Sequence, residues 1–186
     1  MLLIGAYEGR SALSKMIQAE TRSDKSHISV VEISNSAVDP RTHTIYWSQF
    51  REELETCPVW EAWGSIRSPR KGSGVFRRTG IHEGHTPGTP ITLLIPNVAY
   101  NQDRTRDYLE NSVGLKYDWM GLVRYLIRVN KDRPSHMFCS ELAFRSFAAG
   151  GLLMQARVKP AFISPASVYQ SPLLSELIRV TTGEAR

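Results

Sequence analysis

Cysteine is scarce: the 186 residues contain two, Cys57 and Cys139. That is too few for a disulfide framework, and the two lie too far apart for a CxxC metal or redox pair, so a reducing compartment fits best. No apolar run reaches the roughly 18–20 residues needed to cross a bilayer. The longest late stretch, "LAFRSFAAGGLLM", contains Arg145. The start, "MLLIGAYEGR", has no basic n-region, and its apolar run is too short for a signal peptide. These absences predict a protein made in the cytoplasm with no transmembrane segment. There is no Walker A loop and no GxGxxG element, no internal repeat and no low-complexity tract. His82, Glu83 and His85 cluster in "GIHEGH" but lack the HExxH spacing that places two ligands on one helix face. No cofactor and no metal are expected.

What is present describes an ordinary globular chain. Hydrophobic residues make up 41% and charged residues 22%, enough for a proper core and too apolar for wholesale disorder. The length suits one domain over residues 1–186. The net charge of +5 is compatible with an anionic partner such as an acidic polymer or a lipid head group; a nucleic-acid partner is not expected. Basic residues are scattered except in "IRSPRKGSGVFRR", which holds Arg67, Arg70, Lys71, Arg77 and Arg78. This reads as a solvated loop, with attraction of an acidic polymer as its functional alternative.

Periodicity orders the elements. "SALSKMIQAE" places Leu13, Met16 and Ile17 at helical spacing after Ser11 as N-cap. "HISVVEI" is rich in β-branched residues and alternates His27, Ser29, Val31 and Ile33 on one face. "NSAVDPRT" is a turn. "HTIYWSQF" reads as a return strand and "VWEAWGSI" as another, with Glu61 projecting opposite Trp60 and Ala62. "PITLLIPNV" follows as a strand. "NQDRTRDYLENSVG", "WMGLVRYLIRV" and "HMFCSELAFRSFAAGG" read as helices, the last ending at Gly150 and Gly151. The tail "SPASVYQSPLLSELIRV" is a loop followed by a short helix or strand. This order predicts an α+β domain with an antiparallel sheet.

Few residues in this layout have obvious chemistry. Cys139 stands at the start of a predicted helix, where the dipole favours a thiolate; the alternative is a buried structural cysteine. A nucleophilic cysteine needs a base, which can come from anywhere in the chain, and His27 at a strand start is a candidate; the alternative is packing or an ordinary hydrogen bond. His136, three residues before Cys139, is a further candidate base. Cys57, before a proline with no base beside it, reads as inert.

A third segment changes the weighing. "GLKYDWMG", residues 114–121, followed by "FCSEL", resembles the G-x-x-Y-x-W-x-G and Cys-Ser pattern of NlpC-type cell-wall endopeptidases, whose fold is papain-like. Here the Ser-His segment comes first and the Cys-Ser segment last. That order is similar to the circularly permuted papain-like group, and most of all to its YiiX-like branch. "GRSALSKMIQAETRSDKSHISVV" resembles that branch's serine-bearing first helix leading to Ser-His on a strand. "WEAWGSI" is similar to its Glu-Ala strand, and "ISPASVYQSPLL" to its closing Ser-Pro segment. The likeness runs from about residue 5 to residue 175.

The resemblance implies a permuted papain-like fold, an antiparallel sheet or partial barrel packed against helices. It also implies a cysteine amidase or peptidase with Cys139 as nucleophile, His27 as base and Glu61 orienting the imidazole. Tyr117 matches the tyrosine near the nucleophile, where its hydroxyl can help hold an oxyanion; the alternative is a core tyrosine. His43, in "THTIYW", is the rival orienter, because related peptidases place a second histidine there. Asp118 and Trp119 are expected to be structural, as a cap and a core residue. The implied substrates are a peptide, a peptidoglycan fragment or another acyl compound. A lipid-directed acyltransferase or thioesterase is the second reading, and a non-catalytic binding protein the third. The chain departs from the pattern in the longer polar segment "THTIYWSQFREELETCPV" before its Glu-Ala strand, which bears on the third catalytic residue.

Overall fold

The computed structural model describes residues 1–64, 73–119, 135–155 and 158–183. A six-stranded sheet, every neighbouring pair antiparallel, runs in the order β4-β3-β2-β1-β5-β8. The strands are β1 (Leu2–Tyr7), β2 (His27–Glu32), β3 (Pro58–Trp63), β4 (Gly74–Thr79), β5 (Pro90–Pro96) and β8 (Leu174–Thr181). A separate two-residue parallel ladder joins β6 (Lys116–Tyr117) to β7 (His136–Met137). The helices are α1 (Ala12–Thr21), α2 (Trp47–Thr56), α3 (Gln102–Ser112), α4 (Cys139–Ala149) and the short α5 (Pro165–Tyr169).

Both faces of the sheet are covered, so its central strands are apolar on both sides rather than alternating. On β1, Leu2, Ile4 and Ala6 face one core with Leu109 of α3 and Leu142 and Phe147 of α4. Leu3 and Tyr7 face the other, with Phe50 and Leu54 of α2. The run "LLIGAY", too short for an export signal, is this fully buried central strand, as a continuous apolar run of 4–8 residues can be. The helix predicted from Ser11 begins there, the Ser11 side chain accepting from the Ser14 N–H. It buries Ile17 and leaves Met16 exposed.

Two expectations are corrected. "HTIYWSQF" is not a return strand: Ile45 makes one isolated bridge to Val38, and α2 starts at Trp47. Phe50 and Leu54, four apart, supply its buried face, so the 3.6-residue period overrides the local β propensity of "TIYW". The basic knot is not one solvated loop either. Arg77 and Arg78 lie on β4 and project to opposite faces; Arg67, Arg70 and Lys71 lie outside the described residues, as does most of the predicted "WMGLVRYLIRV" helix. Among the described residues, no helix is long and apolar enough to cross a membrane.

Helix α4 is the element that carries Cys139 to the sheet. It packs against β2, β3 and α3, and it ends at Gly150, where a Cβ would fall 2.1 Å from Thr105 Oγ1. Phe147 is fully buried at the centre of this packing. Phe147→Ala is expected to destabilise the fold by about 3–5 kcal/mol, measured by urea unfolding with far-UV dichroism of the folded form retained. A loss below about 1 kcal/mol would show that α4 is not anchored through this residue.

Candidate functional site

Strand pairing assembles the first part of the site. In the β2–β3 register Ser29 pairs with Glu61, so His27, two residues back on the same face, is the diagonal neighbour of Glu61. Its Nε2 lies 2.8 Å from Glu61 Oε2. On the next strand Phe76 pairs with Glu61 and Arg78 with Val59, which sets Arg78 diagonally on the other side of Glu61. Its Nε lies 2.6 Å from Glu61 Oε1. A third group comes from the loop between β4 and β5: His85 Nε2 is 3.2 Å from Glu61 Oε2.

That loop is held by local bonds. Thr89 donates its hydroxyl to the Thr86 carbonyl, and Gly88 donates its N–H to the Thr182 carbonyl beyond β8. Gly84 has φ +80°, and a Cβ there would strike the Arg78 guanidinium at 1.8 Å. A side chain at position 84 would thus displace the Arg78 guanidinium that lies beside Glu61. The His85 ring stacks on Tyr7 at 4.0 Å between centroids, while Tyr7 and Trp63 meet His27 edge-on.

Cys139 reaches the same imidazole from the helical layer. His27 and Cys139 line the same cleft, close enough for the imidazole and the backbone N–H groups of Ile28 and Ser140 to act on the sulfur electrostatically. Because Nε2 is turned to Glu61, Nδ1 remains for the thiol. Tyr117 is brought close through the β6–β7 ladder, whose Tyr117–Met137 pair sits two residues before Cys139. Gly64 permits its approach, since a Cβ there would fall 2.6 Å from the Tyr117 ring. Cys139, His27, His85 and Tyr117 line one cleft of about 560 Å³, with Leu13 and Ile17 of α1, Trp63 and Arg10 among its other walls.

Burial opposes charge at each titrating group, and specific partners decide the outcome. It would lower the His27 pKa, but the Cys139 thiolate and the Glu61 carboxylate prevail and push it up to about 10. Burial would raise the Cys139 thiol, yet the His27 charge and the two backbone N–H groups hold it below its usual value. Glu61 is fully buried and, against its desolvation, is still held well below the ordinary carboxylate range by hydrogen bonds from His27 and His85 and by the charge of His27. His85 moves the other way from His27: burial lowers it, and Glu61 does not restore it. Burial pushes Tyr117 well above its usual value, helped by Cys139 and Asp118, so its phenol stays a neutral donor.

The remaining candidates lie elsewhere. His43, the rival orienter, sits in a turn at φ +58° and borders a different cavity, with Pro40, Asn97 and Tyr100. His136 bonds Ser135 through Nδ1. Cys57 is buried and pushed up to about 12, consistent with an inert thiol. His82 approaches Glu55, not Glu61. Two residues of the site escape sequence reasoning. Arg78 could have been found from strand alternation once β4 was recognised; His85, set aside with its neighbours as a failed metal motif, carries no local signal of its position.

No known protein-family profile matches the sequence, and no curated protein matches it. Among solved structures it is similar to the crystal structure of the metalloprotein yiiX from Escherichia coli O157:H7. The TM-score is 0.58 and the identity 16%, over 97% of this chain and 95% of that one. The chain therefore shares its fold with a YiiX protein: α+β, with a six-stranded antiparallel sheet packed against helices.

The pKa directions give a pH test. A raised His27 contributes stability that is fully present below about 6.5, its ordinary value, and is lost as pH rises through about 10. A lowered Cys139 contributes stability that is present above 9.0, its ordinary value, and is lost as pH falls through the folded-state pKa. The reactive thiolate–imidazolium pair occupies the interval between the folded Cys139 pKa and about 10. Iodoacetamide alkylation of Cys139 followed against pH should titrate with a midpoint below 9.0. In His27→Ala the midpoint should rise, because burial is then opposed only by the two backbone N–H groups. A wild-type midpoint at or above 9.0 contradicts the ion pair.

Proposed function

We propose that this protein is a cysteine-dependent amidase or peptidase with a permuted papain-like fold, acting through an acyl-thioester. The observation that carries the reading is one imidazole bonded to a buried carboxylate and sharing the wall of a cleft with a helix-start thiol. The Cys139 thiolate attacks the acyl carbonyl and forms the C–S bond. The His27 imidazolium gives its Nδ1 proton to the departing amine as the C–N bond breaks. Water then attacks the thioester with neutral His27 taking its proton, which releases the acid and restores the thiolate–imidazolium pair. Glu61 keeps the His27 tautomer and ring plane by accepting from Nε2.

The oxyanion has two donors within the chain. Cys139 opens α4, and a first-turn N–H has no acceptor inside its own helix. The Tyr117 hydroxyl is the second, and a preorganised donor of this kind is commonly worth ~3 kcal/mol. Peptide amides, including those of peptidoglycan, are the favoured substrates. A lipid-directed acyltransferase or thioesterase is the second reading, favoured by the apolar wall of Leu13, Ile17 and Trp63. Fold-level likeness to a metalloprotein also raises the question of an ion. His27, Glu61 and His85 are the residues that fit one, their ligand atoms all lying within 4.8 Å of one another; when bound it would supply a Lewis-acidic centre beside the thiol.

Cys139→Ala should abolish turnover of a peptide amide or thioester, together with covalent labelling by an acyl probe, while the dichroism spectrum is kept. Tyr117→Phe should lower kcat by roughly 100-fold with little change in KM. Release of new amino groups from peptidoglycan fragments supports the amidase, and transfer of a fatty acyl group the second reading. Full activity in Cys139→Ala refutes both, and an inert wild-type thiol with no turnover of either substrate points to a binding protein.

A further inference from the structure

Outside the relay stands one observation it does not use: a second imidazole on the catalytic carboxylate. His27 needs a single acceptor, yet Glu61 Oε2 serves His27 Nε2 at 2.8 Å and His85 Nε2 at 3.2 Å. The other carboxylate oxygen, Oε1, lies in ion-pair range of Arg78 but receives no aligned hydrogen bond. Two imidazole nitrogens and a carboxylate oxygen form a donor set suited to Zn²⁺ and its neighbours in the first transition row. A tetrahedral ion with bonds of about 2.0–2.1 Å separates its ligand atoms by roughly 3.3 Å. The two separations on Oε2 therefore need to open by a few tenths of an ångström, and the two imidazole nitrogens, within 4.8 Å of each other, need to come to the same spacing. His27 and His85 both line the cleft, which gives the ion a way in. Arg78 holds the carboxylate from the side away from the two histidines, fixing its orientation; its charge also limits the affinity for a dication.

The geometry points to a regulatory zinc site formed by His27, Glu61 and His85, whose occupancy switches the hydrolase off. The consequence for activity rests on the cysteine-hydrolase reading; the metal site itself does not. The switch follows from shared atoms. Nε2 of His27 and Oε2 of Glu61 are the two ends of the bond that orients the base, and an ion that takes both replaces that bond. Cys139 is not a ligand: its sulfur lies outside the group of ligand atoms found within 4.8 Å of one another.

The test uses the full chain and Zn²⁺ alone. After dialysis against buffered Zn²⁺, the wild type and Cys139→Ser should each retain one ion per chain by elemental analysis. His85→Gln should bind at least about 100-fold more weakly, with folding checked by circular dichroism. Co²⁺ in the wild type gives a readout that needs no variant: visible d–d bands without a thiolate charge-transfer band. Saturating Zn²⁺ should lower turnover of a peptide amide or thioester at least tenfold in the wild type, because an imidazole held on the ion through Nε2 can no longer cycle between giving and taking a proton at Nδ1, and should leave the turnover of His85→Gln unaffected. A wild type that retains no zinc overturns the proposal, as does zinc lost in Cys139→Ser but kept in His85→Gln, which puts the ion on the sulfur. Alkylation of chelator-treated wild type reports on the hydrolase reading separately, so either idea can fail alone.

Discussion

A carboxylate with no solvent exposure lies at the centre of this molecule. Taking such a charge out of water costs several kcal/mol even after relaxation, and a buried charge persists only when its partners are in place. Glu61 has three: Arg78 on one oxygen, His27 and His85 on the other. They come from three segments, β4, β2 and the β4–β5 loop. A one-residue slip of β2 or β4 against β3 would turn its contribution to the opposite face and leave the carboxylate short of a partner. The register of the sheet and the chemistry of the site are thus the same constraint.

The thiol arrives by a different route, which explains why helix packing matters to the site. Phe147, Leu142 and Phe144 of α4 seat the helix on β2 and β3, and that seating brings its first residue to the Ile28 N–H and the His27 ring. A helix start supplies a favourable dipole and unpaired N–H groups. The short ladder just upstream delivers Tyr117 from another segment to the same point. Sheet face and helix end meet at His27, which touches both.

How much of this was legible in the chain depends on the range of the signal. Local patterns located α1, α3 and α4 by their 3.6-residue period and end residues, and β2, β3 and β5 by short β-branched or apolar runs between turns. The motifs carried by His27, Glu61, Tyr117 and Cys139 pointed to four residues that the fold brings to one cleft or its immediate lining. Short-range reasoning failed where two periods competed, as in "HTIYWSQF", whose aromatic and β-branched start precedes the helical pair Phe50 and Leu54. It also failed where a role is set only by tertiary placement. Arg78 looks like any surface arginine until the register sets it beside Glu61. His85 looks like a fragment of a broken metal motif until its loop folds over Tyr7.

The two imidazoles on Glu61 show how one carboxylate can give its partners opposite fates. Both place Nε2 near the same oxygen, and both are mostly buried, yet His27 is pushed toward the charged form and His85 toward the neutral one. The carboxylate cannot be the cause of the difference, since both have it. The sulfur is: the charge of Cys139 acts on His27 and not on His85, whereas His85 has the face of Tyr7 and feels the charges of His27 and Arg78. A second protonated imidazole would add a like charge next to the first, so charging one suppresses the other. The site therefore holds one imidazole pushed toward its cationic form and one pushed toward its neutral form on the same carboxylate, and it is the reach of Cys139 that decides which is which.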